Sequence, residues 1–314
     1  MARKHLEGKV AIVTGGAGGM GSHISKVFAE QGAKVVVADT GADVEGRMGV
    51  DPTRTNAVVD AINEAGGEAI GSIGDIADMQ VAEDTVRLAL DTWGKLDILV
   101  CAHGILRERM IFNMTEDEWD GVIRTHLKGC FAPTKFASIW WRTQRTHGGR
   151  IIYFTSDAGI SGGAGQPNYS AAHAGKMGLM RSNARALAPY GVTCNLIAPL
   201  ASTRMTDRGR GVDTSGPAPS ESAAGTARDP KNVVPIIVWL ASDEGGIANG
   251  RIFGASGHRI SVYSEPVQER VLWSDTPMFD IDRLFEEWPQ TLALGGYPMN
   301  RMMGMAPQPE GATS

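Results

Sequence analysis

The sequence has little that would tie it to a membrane, a nucleic acid or an oxidising compartment. Its three cysteines, Cys101, Cys130 and Cys194, are widely spaced, odd in number and form no CxxC pair, which excludes a disulfide framework. Cys101 and Cys194 fall in strand-like runs, so buried free thiols in a reducing compartment are expected. No membrane-length apolar run is present, and the amino terminus, Met1-Ala2-Arg3-Lys4-His5-Leu6-Glu7-Gly8, is charged rather than signal-like. Cytoplasm is the default expectation. Cations do not outnumber anions: 30 Lys and Arg stand against 35 Asp and Glu, a net charge of -5. That balance leaves no basic footprint for nucleic acid or an anionic membrane. The 40 glycines follow no fixed period, which excludes a collagen-like chain. No internal repeat is evident.

What is there is an alternation of short apolar runs and amphipathic segments. Lys9-Val10-Ala11-Ile12-Val13-Thr14 reads as a buried parallel strand. It is followed by the glycine turn Gly15-Gly16-Ala17-Gly18-Gly19-Met20-Gly21 and a helix over Ser22 to Glu30. Strand, glycine turn and helix together make a dinucleotide site, because the turn allows close backbone approach and the helix N-terminus aims N–H groups at a pyrophosphate. A second strand, residues 33–39, ends in Asp39, where an acid hydrogen-bonds ribose hydroxyls and repels the extra phosphate of NADP. NAD is therefore the expected cofactor.

Residues 40–52 read as a surface loop, and Thr53 to about Ala65 as a helix stopped by Gly66-Gly67. Further strands are expected at Glu68 to Ile73, Leu96 to Cys101, Arg150 to Ser156, Val192 to Ile197 and Arg251 to Gly254. Between them, helices are expected at Met79 to Thr92 and at Asn232 to Ala241, and a long one from the capping box Thr115-Glu116-Asp117-Glu118 to about Arg145. Pro133 should kink or break that long helix. The pattern predicts a Rossmann-like, doubly wound parallel sheet of about seven strands flanked by helices. Residues 1–262 form one nucleotide-binding domain in this reading. From about 263 to 314 the texture changes to aromatics (Trp273, Phe279, Phe285, Trp288, Tyr297) among prolines. This extension is expected to pack on the body or on a neighbouring subunit in a homo-oligomer.

The chemistry centres on Tyr169-Ser170-Ala171-Ala172-His173-Ala174-Gly175-Lys176, opened by Pro167 near the first helical turn. Tyr169 and His173 are four residues apart and share a helix face, and Lys176 returns to nearly that face two turns along. A tyrosine with a basic group beside it can donate and accept the proton of an alcohol or ketone. Thr155 and Ser156 place hydroxyls at a strand's carboxyl end, where open α/β sheets bind ligands.

In order and spacing, Thr14-Gly15…Gly19-Met20-Gly21, Asp75, Ser156, Tyr169 and Pro199 resemble the short-chain dehydrogenase/reductase pattern. More narrowly, Ile105 to Met110, Thr125-His126-Leu127-Lys128-Gly129, Gly165 to Ala172, Ser202 to Thr206 and Val238-Trp239-Leu240 resemble the (3R)-hydroxyacyl-CoA and 17β-hydroxysteroid dehydrogenase branch. The resemblance implies that Gly15, Gly19, Met20 and Gly21 hold the pyrophosphate, Asp39 the ribose, and Asp75 with Ile76 the adenine. It assigns Ser156 to the substrate oxygen, Tyr169 to proton transfer, and Pro199 and Thr203 to the carboxamide ring. Ala102 and Gly104 belong to the cofactor floor, and His126 stands where the wider family has a relay Asn.

Two positions depart from the family. His173 occupies the place of the lysine that holds the nicotinamide ribose and lowers the tyrosine pKa. An imidazole can hold the ribose but is only partly charged at neutral pH, and Lys176 is the other candidate. The second departure is Cys101-Ala102-His103-Gly104 in place of Asn-Asn-Ala-Gly. His103, His126 and His173 map near one site; a proton relay or separate hydrogen-bonded histidines are the readings kept, and no metal is expected. The leading reading is an NAD-dependent oxidoreductase interconverting a secondary alcohol and a ketone of the acyl-CoA or steroid class, with a shifted pH optimum or lower rate. The other reading is an NAD-binding regulatory or assembly subunit with little activity. Arg204, Arg208, Arg210 and Arg228, in the long 200–230 connection, could meet CoA phosphates.

Overall fold

We analysed a computed structural model of the chain, in which residues 3–144, 148–208, 218, 220–268 and 270–292 are described. The expected helix end near Arg145, and the candidates Arg210 and Tyr297, lie outside these residues. Contacts divide the chain into residues 1–263 and residues 264–314. The second unit contains a short helix, Ile281–Glu287, capped by the Asp280 side chain on Arg283 N–H.

The first unit is built on eight strands: β1 (Val10–Thr14), β2 (Lys34–Asp39), β3 (Glu68–Ile73), β4 (Ile98–Cys101), β5 (Arg150–Phe154), β6 (Thr193–Pro199), β7 (Ile252–Ser256) and β8 (Arg259–Val262). They lie in the order β3-β2-β1-β4-β5-β6-β7-β8. All neighbours are parallel except β7 and β8. The antiparallel β8 is one strand more than the apolar runs predict. Ser256 pairs with Arg259, so Gly257 and His258 make a two-residue hairpin turn, with Gly257 at φ +49°. Its strand is short and largely exposed, and so carries no buried apolar signature.

The central strands are buried on both faces, which is why they read as unbroken Val and Ile. Val35 and Val37 pack in one apolar layer with Val13, Ile24 and Phe28. Val36 and Ile12 turn to the other, with Leu99, Ile151 and Met180. The helices of the unit are α1 (Gly19–Glu30), α2 (Thr53–Glu64), α3 (Met79–Trp93), α4 (Glu116–Ile123), α5 (Gly129–Gln144), α6 (Asp157–Ser161), α7 (Pro167–Ala186) and α8 (Val234–Ala241). Among the described residues, no helix is long and apolar enough to cross a membrane.

The break expected at Pro133 does not occur there: α5 continues through it. Residues Arg124–Lys128 form a π turn between α4 and α5, and Pro133 sits inside α5. The bond that Pro133 removes would run to the Gly129 carbonyl, beyond the π turn, so α5 carries the proline within it. The π turn carries His126, which is 2% exposed. Sheet order reverses direction at β1, whose neighbours are β2 and β4, so the carboxyl ends of the strands open a crevice there.

Candidate active site

That crevice is a cleft with about 1140 Å³ of empty volume, part of it open to solvent. On the β2–β3 side its wall includes Asp39, Asp75 and Ile76; at the β1–α1 turn it includes Gly15, Gly19, Met20 and Gly21. On the β4–β6 side lie Ala102, Gly104, His126, Tyr169, His173 and Lys176, with Pro199 and Thr203 along the rim. Ser156 does not line the cleft; it stands just beyond β5, where its hydroxyl accepts from Ala158 N–H at 3.3 Å and caps α6.

Backbone crowding explains the glycines. Gly15 has φ +66°, and a Cβ there would come within 2.5 Å of His103 Cα. A Cβ on Gly21 would meet Gly15 O at 1.9 Å. The turn closes this tightly so that α1 can start with its N–H groups bare: Gly18, the residue before it, offers no side-chain cap. Asp39 is tied to the same turn, accepting Ala17 N–H at 3.0 Å and Gly41 N–H at 2.8 Å on its two oxygens. Asp75 accepts Ala77 N–H at 2.9 Å and the Arg124 guanidinium at 2.7 Å. Arg204 also lines the cleft. Burial and Arg54 hold its guanidinium below its ordinary range, against the pull of Asp39. Arg204 therefore faces the Asp39 side, while Arg228 is exposed.

At the other side, α7 positions the titratable groups. Asn168 is fully buried and anchors the helix start. Its amide donates to Arg107 O at 3.0 Å and Glu118 O at 2.8 Å, and its carbonyl accepts Tyr169 N–H at 2.7 Å. Sequence reasoning missed this residue; a polar amide directly after a helix-starting proline was the available signal. The rings of Tyr169 and His173 lie 4.1 Å apart between centroids, and His126 sits 5.0 Å from Tyr169 and 4.7 Å from His173. Burial raises the Tyr169 phenol to about 12, with a hydrogen bond from Ser156 acting the other way. Burial, reinforced by the Lys176 charge, drives both His126 and His173 well below 6.5. Both shifts favour the neutral imidazole, which runs against the partial charge expected of His173.

The histidines differ in their partners. His103 bridges the Thr14 hydroxyl and Thr125 O, the latter at 3.0 Å, which is a hydrogen-bonded structural role. His126 Nε2 meets both the carbonyl (2.7 Å) and the N–H (3.1 Å) of Ile105. Glycine makes room for each ring: a Cβ at Gly129 would strike His103 and one at Gly104 would strike His126, at 2.5 and 2.4 Å. Both ring nitrogens of His173 are buried and have no hydrogen-bond partner among the described residues. Such orphaned nitrogens are costly unless a ligand satisfies them. Together with the bare α1 terminus and the Asp39 carboxylate, they fit a nicotinamide dinucleotide lying along the cleft. Among the described residues, no group of three His, Cys, Asp or Glu is placed to hold a metal ion.

Comparison with known proteins places the chain in a family. The short chain dehydrogenase family pattern matches residues 9–211. The hydroxyacyl-CoA dehydrogenase ChsB1 of Mycobacterium tuberculosis is 38% identical over 282 residues, covering 88% of this chain and 86% of that protein. Mouse peroxisomal multifunctional enzyme type 2 is 36% identical over 248 residues, 79% of this chain but 31% of that longer protein. A short chain dehydrogenase of Mycobacterium avium superposes with a TM-score of 0.78 at 36% identity, over 92% of this chain and 96% of that one. The chain belongs to the short-chain dehydrogenase family.

Proposed function

We propose that this protein is an NAD-dependent oxidoreductase that interconverts a secondary alcohol and a ketone, with hydroxyacyl-CoA thioesters as the substrate class. The observation that carries this reading is the meeting of two halves in one cleft: a capless helix terminus with Asp39 at one side, and the half-buried Tyr169 beside the His173 ring, whose nitrogens have no partner among the described residues, at the other. A protein that only bound nucleotide would have no use for the second half. The relatives named for acyl-CoA chemistry favour the thioester over the steroid.

In this reading Gly15, Gly19, Met20 and Gly21 receive the pyrophosphate, Asp75 and Ile76 the adenine side, and Ala102, Gly104, Pro199 and Thr203 enclose the nicotinamide. Asp39 takes the adenosine ribose hydroxyls, and its carboxylate repels a phosphate there, which selects NAD over NADP. His173 offers its ring nitrogens to the nicotinamide ribose. The cofactor, when bound, accepts or supplies the hydride. Ser156, outside the cleft wall but hydrogen-bonded to the Tyr169 phenol, orients the substrate oxygen where it meets that phenol, and Tyr169 moves the proton. In the oxidising direction the alcohol O–H bond breaks and its proton passes to the Tyr169 oxygen; in reduction the phenol O–H gives it back.

Replacing Tyr169 by Phe tests the assignment. General acid–base catalysis contributes roughly 10²–10⁴-fold, so kcat is expected to fall by about three orders of magnitude while the Kd for NAD stays within about twofold. A Tyr169→Phe enzyme that keeps most of its kcat would remove Tyr169 from the chemistry.

A further inference from the structure

The segment after β4 runs antiparallel to the start of α7 and is tied to it at three successive points. Arg107 O accepts the Asn168 amide at 3.0 Å, Glu108 Oε1 accepts the Gln166 amide at 2.5 Å, and Arg109 N–H donates to Gly165 O at 2.8 Å. Gln166 lies three residues, about one helical turn, before Tyr169. Tyr169 in turn packs against the apolar cluster of Ile105, Val122 and Ala172, so the same segment touches it from the other side. The seam therefore holds the Glu108 carboxylate near the phenol, and its charge acts on that phenol against ionisation.

Nothing nearby cancels that charge. The two flanking cations are engaged elsewhere, Arg107 with Asp117 at 3.0 Å and Arg109 with Glu118 at 3.0 Å. Among the described residues Glu108 has no ion-pair partner, and the Gln166 amide that holds it is neutral. Glu108 is exposed, so water screens it in part. It lines a smaller hollow beside the cleft, with Arg109 and Glu118, rather than the cleft itself. Its charge is thus felt on the substrate side of Tyr169 and away from the glycine turn.

We propose that Glu108 is a specificity residue of the alcohol site: its carboxylate, held by Gln166 one turn from Tyr169, disfavours substrates with a negative charge next to the carbinol, and so admits hydroxyacyl esters and thioesters while turning away free hydroxy acids. A substrate oxygen that meets the Tyr169 phenol brings the groups on the neighbouring carbons into the field that already acts on that phenol. A free acid places a full negative charge there, and like charges repel. A thioester carbonyl is neutral and escapes the penalty. With Arg107 and Arg109 committed to other carboxylates, no cation of the segment is free to reverse the sign. Glu108 touches no reacting atom and takes no part in the proton transfer.

The inference deepens the proposed reaction and rests on Tyr169 as the group that meets the substrate oxygen, yet its test does not require turnover. The probes are a 3-hydroxy acid and its methyl ester, which share the carbinol and differ by one charge. Each is titrated onto the complex of the full chain with NADH, where an alcohol finds no hydride acceptor, and its Kd is read from the fluorescence of the bound reduced cofactor. The natural protein should hold the ester more tightly than the acid. Glu108→Gln keeps the shape and removes the charge, and it should narrow that gap by about threefold to fivefold at low salt, as a partly screened charge does, with the ester Kd steady within about twofold. Glu108→Asp keeps the charge and should keep most of the gap. Salt at about 1 M, where screening sets in within about 3 Å, should narrow the gap in the natural protein and far less in Glu108→Gln. An unchanged gap in Glu108→Gln overturns the proposal, and so does a natural protein that holds the acid as well as the ester or takes neither. Acid and ester shifting together in Glu108→Gln overturns it too, because Glu108 would then shape the segment without sorting charges. Failure of the natural protein to oxidise any alcohol would strike the proposed reaction and leave these constants readable.

Discussion

The two sides of the cleft follow their family to different degrees. By the resemblance, the β1–α1 side keeps each glycine in place, whereas the other side has His173 at the lysine position and Cys101 and Ala102 at the two asparagine positions. The difference is physical. Pyrophosphate binding is done by backbone, and backbone leaves no alternative supplier: a Cβ at Gly15 or Gly21 would lie inside its neighbours. A side chain acts at the end of its stem, so a residue one turn beyond His173 on α7 can also reach the cleft. Lys176 reaches His126 and Phe154 from there.

The comparison breaks most easily on the rigid side. Gly15→Ala puts a Cβ 2.5 Å from His103 Cα at φ +66°. Overpacking and backbone strain each cost about 1–3 kcal/mol. NAD affinity, followed by tryptophan fluorescence, is expected to fall by two orders of magnitude or more, with the helix content of the chain retained. Unchanged affinity would mean that the turn is not the pyrophosphate site.

A smaller effect sharpens the other side. His126 and His173 are held below their ordinary 6.5 mainly by burial, so the unfolded chain binds protons that the folded one refuses. The sign follows: stability is fully present above about pH 6.5 and is lost as pH falls below it. Between pH 7.5 and 5.5 the unfolding free energy should drop by roughly 2 kcal/mol from these two rings, read from urea midpoints. His173→Gln should remove about half of that slope. A natural protein as stable at pH 5.5 as at 7.5 would contradict the neutral-imidazole assignment.

The smallest effect concerns cofactor choice. Asp39→Asn keeps the shape and removes the charge, and the preference for NAD over NADP should narrow by roughly tenfold, or about 1.4 kcal/mol. Equal preference before and after would place the selectivity elsewhere, for instance with Arg204 on the same wall.

Much of this arrangement was legible in the sequence, for reasons that differ by residue. Buried parallel strands are continuous apolar runs, so β1, β2 and β4 announce themselves. The β8 hairpin does not, because an exposed edge strand needs no apolar face. The π turn at Arg124–Lys128 was not legible either, since that stretch contains no proline or glycine. That Tyr169 and His173 share a face was readable from helical spacing, and their roles from the family resemblance. The reach of Lys176 was not, since spacing gives the direction of a Cβ and says nothing of where a four-carbon stem ends. Asn168 escaped for a similar reason: its partners at Arg107 and Glu118 are distant in the chain.

The most direct measurement is to supply the purified chain with NAD and a panel of hydroxyacyl-CoA thioesters and hydroxysteroids and to follow absorbance at the reduced-cofactor band. Reduced cofactor should accumulate with at least one hydroxyacyl-CoA. Saturable NAD binding with no reduction on any member of the panel would contradict the account.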